Sequence, residues 1–237
     1  MRNLRASGFL AAIGAFAVVG VVVAAPMFHE AKAGEYDPVK GNLVQAMWLS
    51  GTGCPTNATT TTDGTTKTTY TDPACTTGDP KDKTNQGLLF AKTGPTSDYA
   101  EPYAELRDIK GVAITELGYD IRKPDGSASA RGSQCGADAP MFQLQTKSGD
   151  VYYVACSSPA PDTQTVGNGW LRLRWGGSTP VMAYKNGSTL TDITGMTFDS
   201  GFIVFQDGQD AGPTNFGLAV IDNIDVSGNL VGQGAGN

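Results

Sequence analysis

The stretch Ala219-Val220-Ile221-Asp222-Asn223-Ile224-Asp225-Val226 has the alternation of a β-strand that packs one face on a core. The even-numbered apolar residues from 218 to 226 share one parity, and Asp222 falls in the middle of that row. Burying an unpaired carboxylate costs several kcal/mol. Asp222 therefore needs an arginine, a set of backbone N–H groups or a bound cation.

The chain on either side of this strand shows the same short apolar alternation, broken by Gly, Pro, Asn and Asp and without a helical period. It predicts an all-β chain whose residues 34–237 form a single antiparallel two-sheet β-sandwich of jelly-roll type. Hairpins are predicted over 141–156, with Lys147 opposite Asp150, and around Asn186-Gly187. A parity change between 112 and 122 predicts a β-bulge near Glu116 and Gly118.

Residues 1–33 have the composition of an export segment. Arg2 and Arg5 precede an uncharged apolar run over 8–28, and the small-residue motif 31–33 stands before Gly34. We expect a signal peptide cleaved after residue 33, or an anchor that enters the membrane through 8–28 if uncleaved, and a secreted or cell-surface protein. Cleavage would remove the one histidine, His29, and change the net charge from -6 to -8. We expect no nucleic-acid partner, because such binding needs clustered Lys and Arg.

All four cysteines lie beyond the export segment, and an even count in an oxidising compartment predicts two disulfides. Three pairings are possible. Cys54–Cys75 and Cys135–Cys156 are favoured because each pair brackets one local segment. The segment 52–77 is rich in threonine and poor in apolar residues, so it predicts an exposed loop or ribbon that the first disulfide holds in place.

The strand 219–226 resembles the closing strand of secreted jelly-roll carbohydrate-binding modules and related galactose-binding-like, concanavalin A-like domains. In those families an acidic residue of the closing strand commonly ligates a structural calcium, together with oxygens from near the N-terminal strand. The resemblance implies Asp222 as a calcium ligand, with Glu35 or Asp37 as partners. Calcium suits the composition, since it takes oxygen ligands and needs neither His nor Cys. Without calcium, Asp222 is expected to pair with Arg107 or Arg122.

Residues 168–175 suggest a binding face, because strand alternation places Trp170, Arg172 and Arg174 on one side. An exposed tryptophan between two guanidinium groups could stack on a sugar ring and donate to its hydroxyls. In the alternative interpretation, Trp170 packs under a loop and both arginines pair with aspartates.

These features predict a non-catalytic binding domain whose partner is a polysaccharide, a surface glycan or another surface component. A structural subunit of the cell surface or of an extracellular filament, joined through edge strands, is one alternative. A two-carboxylate glycoside hydrolase is another. It is disfavoured because Glu101 and Glu105 would lie roughly 13 Å apart along one strand, beyond the separation that such mechanisms use.

Overall fold

The structure is a computed structural model that describes residues 26–38, 40, 44–54, 59–62, 66–69, 78–93, 100–123, 134–136, 139–156, 160–166, 169–206 and 216–234. These residues form two antiparallel sheets and a two-stranded ribbon, with no helix in the described ranges. The architecture is therefore the predicted all-β, two-sheet antiparallel sandwich.

The strands are numbered in chain order. The first sheet runs, in spatial order, through β1 (Glu30–Tyr36), β6 (Glu101–Arg107), β14 (Ser200–Val204), β8 (Met141–Gln145), β9 (Val151–Val154), β12 (Met182–Lys185) and β13 (Thr189–Asp192). The second runs through β10 (Asp162–Thr165), β11 (Leu171–Gly176), β7 (Glu116–Arg122), β15 (Phe216–Val226), β5 (Gln86–Thr93) and β2 (Val44–Ser50), with β16 (Asn229–Val231) beside β15. The ribbon consists of β3 (Thr59–Thr62) and β4 (Thr66–Thr69) and lies in the threonine-rich segment.

The core lies between the two sheets and is built from alternate residues of their strands. At its centre, Phe142 of the first sheet meets Tyr119 and Trp175 of the second, with ring centroids 5.7 to 5.9 Å apart among the three. All three side chains are buried. Each sheet therefore has one face on the core and one outer face.

The predicted disulfide between Cys135 and Cys156 is confirmed. It links the loop before β8 to Cys156, which lies two residues after the end of β9. Cys54 is also disulfide-bonded, while Cys75 lies outside the described residues.

Both predicted hairpins are present, but the register of the first was predicted one residue away from the observed one. Gln145 faces Val151 and Phe142 faces Val154, whereas pairing Lys147 with Asp150 would place Phe142 opposite residue 155. The turn is wider than two residues, because the Thr146 N–H donates to the Asp150 carbonyl. The second hairpin joins β12 to β13 through Asn186 and Gly187, both with positive φ.

The bulge lies on β15 and not on β7. Asn223 has a φ of 47°, and the pairing of β15 with β7 shifts between Asp222 and Asp225. The apolar parity of the strand changes there: Ala219 and Ile221 face the core before the bulge, and Ile224 does so after it. The single parity predicted for the even-numbered residues of 218–226 is therefore wrong. Asp222 points away from the core between the sheets.

Part of the predicted export segment belongs to the sandwich. Residues 1–25 lie outside the described residues, but Phe28 packs into the core and β1 begins at Glu30, before the predicted first mature residue Gly34. No helix of the described chain has the length and hydropathy that crossing a membrane requires.

Candidate functional site

Trp170 is buried, so the interpretation of it as an exposed binding residue is wrong and the alternative, in which it packs within the protein, is confirmed. Its side chain is 1% exposed and packs with Cys54, Val166 and Val220 on the outer side of the second sheet. The guanidinium of Arg122 lies 5.2 Å from the ring centroid. Contacts from distant parts of the chain therefore cover the indole, which cannot stack on a ligand in this arrangement.

Arg172 and Arg174 share one face, as predicted, and both pair with aspartates, as in the alternative interpretation. Arg172 donates to both oxygens of Asp120 at 2.8 Å, and Arg174 lies 3.6 Å from both Asp120 and Asp225. The hydrogen bonds to Asp120 raise the pKa of Arg172, while burial lowers that of Arg174. These side chains form an ionic network on the outer face of the second sheet, in which both guanidinium groups are paired with carboxylates.

Asp222 is 1% exposed and joins the same network through backbone groups. Its carboxylate accepts from the N–H of Cys54 at 2.7 Å and from that of Asn223 at 2.6 Å. The Asn223 side chain in turn donates to Asp120 at 2.9 Å. Burial raises the pKa of Asp222 well above its ordinary value. The partners of Asp222 are therefore backbone N–H groups, one of the three kinds that the sequence predicted.

The arginines predicted as partners of Asp222 lie elsewhere. Arg107 contacts Glu30 at 3.2 Å and Glu105 at 3.4 Å on the first sheet, and Arg122 covers Trp170. Neither forms an ion pair with Asp222 in the described part of the chain.

The residues proposed as calcium ligands lie on different strands. Glu35 lies on β1 and accepts from the Ala46 N–H at 3.1 Å, and Asp37 follows the same strand. Asp222 lies on β15, separated from the strand of Ala46 by β5. Among the described residues, no group of three or more His, Cys, Asp or Glu side chains is arranged to hold a metal. Calcium ligation by Asp222 stays a prediction from the resemblance.

The outer face of the first sheet carries a row of side chains that sequence reasoning missed. Residues directly opposite each other on paired strands share a face. The observed register aligns one residue from every strand of this sheet: Lys32, Glu105, Phe202, Gln143, Tyr153, Tyr184 and Leu190. The alternate residues Phe142, Val154 and Ala183 are in the core, so the row faces away from it.

A second row, one pleat away, adds Tyr103. Its ring meets Phe202 edge to face, with centroids 5.8 Å apart and planes at 83°. The same ring lies across Gly34 on β1, where a Cβ atom would stand 2.6 Å from the tyrosine Oη. We call Tyr103, Phe202, Tyr153 and Tyr184 the aromatic face. All four side chains are partly exposed.

Charges around the aromatic face are mostly balanced or acidic. Arg107 is held by Glu30 and Glu105, and Lys32 lies opposite Glu105 at the edge of the sheet. Burial raises the pKa of Glu101, which lies on the same face of β6. A ligand that approaches this face meets apolar rings, amide groups and carboxylates.

No family model and no curated protein matches the chain. Among solved structures, the family 11 carbohydrate-binding module of the cellulosomal cellulase Lic26A-Cel5E of Clostridium thermocellum is 14% identical, with 92% of this chain and 93% of that chain covered and a TM-score of 0.38. The Clostridium thermocellum family 11 module in complex with a β-1,3-1,4-mixed-linked tetrasaccharide is 13% identical, covers 92% and 94%, and has the same TM-score. A β-1,2-glucanase from Parabacteroides distasonis is 8% identical, covers 84% of this chain and 24% of that chain, and has a TM-score of 0.39.

Proposed function

We propose that the aromatic face binds a neutral saccharide chain, and that the protein is a non-catalytic binding domain that works outside the cytoplasm. The observation that carries the proposal is the alignment of Phe202, Gln143, Tyr153 and Tyr184 across neighbouring strands. Three strand spacings separate the first from the last, which is about 14 Å. The row is therefore an elongated surface along which several units of an extended polymer could lie.

The chemistry of the face suits a sugar. A pyranose ring has a face of C–H groups and a rim of hydroxyls, so it needs a flat apolar partner with polar groups beside it. Tyr153 and Tyr184 supply rings that keep a polar hydroxyl at the solvent end. Gln143, between Phe202 and Tyr153, offers both amide donors and an acceptor.

The electrostatics favour a neutral ligand over an anionic one. The chain has a formal net charge of -6, and Arg107, on the same sheet, is engaged by two carboxylates. A polyanion would have to displace these pairs and would be repelled by the protein as a whole. A neutral polysaccharide meets neither cost.

The carboxylates of the described residues do not suggest hydrolysis. Glu101 and Glu105 lie on the same face of β6, but four residues apart along a strand, about 13 Å. On the second sheet, Asp225 interacts with Glu116 and its pKa is raised chiefly by burial, while Arg174 lies beside it at 3.6 Å. We therefore favour binding without catalysis.

An extracytoplasmic location is supported by the Cys135–Cys156 disulfide. Structural disulfides persist in oxidising compartments and are rare where thiols are kept reduced. A binding domain for a polysaccharide would meet its ligand in that compartment.

The test is affinity electrophoresis and titration calorimetry of the purified chain with neutral polysaccharides, including a mixed-linkage β-glucan, and with polygalacturonate as an anionic control. We expect a neutral polymer to bind, and Tyr153→Ala or Tyr184→Ala to weaken binding about tenfold or more, because each removes a stacking ring. Met47→Ala is the matched control, since Met47 is 38% exposed but belongs to the second sheet.

Two outcomes would contradict the proposal. One is that no neutral polymer binds, and concentration-dependent polymers in that case would favour the structural-subunit alternative. The other is that the two tyrosine variants bind as tightly as Met47→Ala. Release of reducing ends from a bound polymer would overturn the non-catalytic part alone.

A further inference from the structure

We infer that the folded protein keeps residues 28–36, so that any cleavage of the exported chain takes place before Phe28 and not after Ala33. The inference concerns the processing site and stands apart from the proposed saccharide binding. It rests on what this segment contributes to the sandwich.

The first observation is the pairing of β1. All seven of its residues are in register with β6, from Glu30 opposite Arg107 to Tyr36 opposite Glu101. Cleavage after Ala33 would add one water across that peptide bond, leaving a carboxylate on the released segment and an ammonium group on Gly34. Only the pairs of residues 34–36 would remain, and the new charged terminus would lie in the middle of the strand.

The second observation is burial. Phe28 is 1% exposed and Ala31 is fully buried, and both belong to the main core. A chain that starts at Gly34 would lack both side chains and would open the core at the edge of the first sheet. Signal segments contribute nothing to the folded domain that they export, whereas these residues are integral to it.

The third observation is a set of polar contacts that tie the segment to β2, to β6 and to the turn after β6. Trp48 of β2 donates its indole N–H to the Ala31 carbonyl at 2.9 Å. Glu30 pairs with Arg107 at 3.2 Å, and His29 lies 3.4 Å from Asp108. Loss of residues 26–33 would leave the Trp48 N–H without this acceptor and Arg107 without one of its two carboxylates.

The sequence offers an earlier place for processing. Ala24 and Ala25 lie near the end of the apolar run 8–28, and small residues before the cut are part of the signal-peptidase pattern. Cleavage there, or retention of the run as an anchor, leaves Phe28 and β1 in place. In both cases the working protein keeps His29, so the histidine-free mature chain expected from the sequence would not form.

The deciding experiment is production of the full chain in an exporting bacterial host, followed by intact-mass measurement and N-terminal sequencing of the folded protein. We expect the first residue to lie at or before Phe28, with an uncleaved chain giving the same conclusion. A folded product that begins at Gly34, or anywhere in 29–36, would overturn the inference.

A variant pair tests the role of the segment separately. We expect Phe28→Ala in the full chain to lower the thermal unfolding midpoint, and Met27→Ala to leave it unchanged, because Met27 is 55% exposed. Equal midpoints for the two variants would count against the inference. If Phe28→Ala gives no folded protein, the N-terminal sequence of the unmodified chain still decides. Neither readout involves a saccharide, so its failure is distinct from failure of the proposed function.

Discussion

Gly34 shapes the aromatic face by having no side chain. The ring of Tyr103 lies over its backbone, and the same ring packs edge to face on Phe202. A methyl group at 34 would occupy the place of the tyrosine ring. The position of Tyr103 therefore depends on a residue of a neighbouring strand.

We expect Gly34→Ala to weaken saccharide binding several-fold with little change in melting temperature, because the ring is the far end of a flexible side chain and can move aside. Calorimetry measures the first effect and thermal unfolding the second. In the Tyr103→Ala background the same substitution should have no further effect on binding. An equal loss in that background would refute the explanation.

Asp120 is the central acceptor of the ionic network on the outer face of the second sheet. It is fully buried and accepts two hydrogen bonds from Arg172, with Arg174 nearby. We expect Asp120→Asn to lower the free energy of unfolding by about 3–5 kcal/mol, because it removes the buried carboxylate charge that faces Arg172 and Arg174. Urea denaturation gives the value.

The matched control for Asp120 is Asp199→Asn. Asp199 pairs with Lys110 at 3.0 Å, but these side chains are 38% and 72% exposed. Its loss should cost less than about 1 kcal/mol. Equal costs for the buried and the exposed pair would show that the network does not stabilise the fold in this way.

At the scale of the elements, the end of β15 holds a carboxyl group that is sensitive to pH. Burial raises the pKa of Asp225 to about 7, and a hydrogen bond to Glu116 adds to the effect. The acid therefore holds its proton more tightly in the folded chain than in the unfolded one, where the pKa is near 3.8. Its stabilising contribution is complete below that value and is lost as the pH rises to about 7.

We expect the urea midpoint of the protein to fall between about pH 4 and pH 7, and to fall less steeply in Asp225→Asn. The amide keeps an acceptor for the Gly228 N–H, which donates to Asp225 at 2.8 Å, but it does not titrate. Asp82, whose pKa burial raises to about 6, contributes in the same direction in both proteins. The difference between the two slopes is thus the measurement, and identical slopes would contradict the assignment.

At the scale of the whole molecule, the outer faces of the two sheets differ in chemistry. The outer face of the second sheet carries the ionic network of Asp120, whereas the aromatic face of the first sheet carries apolar rings and amides. Binding to a neutral polymer should therefore be nearly independent of salt. We expect less than a twofold change in affinity between about 0.1 M and 1 M salt, where the Debye length falls from about 10 Å to about 3 Å. A steep decline with salt would indicate an ionic contact instead.

Local patterns in the sequence were enough to predict the sandwich, the Cys135–Cys156 disulfide and the hairpin at Asn186, because each depends on neighbouring residues or on turn chemistry. The aromatic face could not be predicted in this way. Tyr152 and Tyr153 look alike in sequence, yet the first packs in the core and the second faces outward. A shift of one residue in strand register would exchange them.

The site predicted at Trp170 failed for a related reason. Strand alternation gave the correct side of the sheet, but the cover over the indole comes from Cys54 and Val220, which are distant in the chain. Such contacts leave no local signal. The bulge at Asn223 similarly reversed the parity of β15, because one left-handed residue changes which side chains face inward.

The difference between the two outer faces also bears on how many polymer chains one protein molecule would bind. Under the proposed function, the described part of the chain offers one binding face, so a single copy would hold one polymer strand and would not bridge two. Retention on a fibrous matrix would then grow with the number of copies joined in one assembly, through avidity rather than through tighter individual contacts.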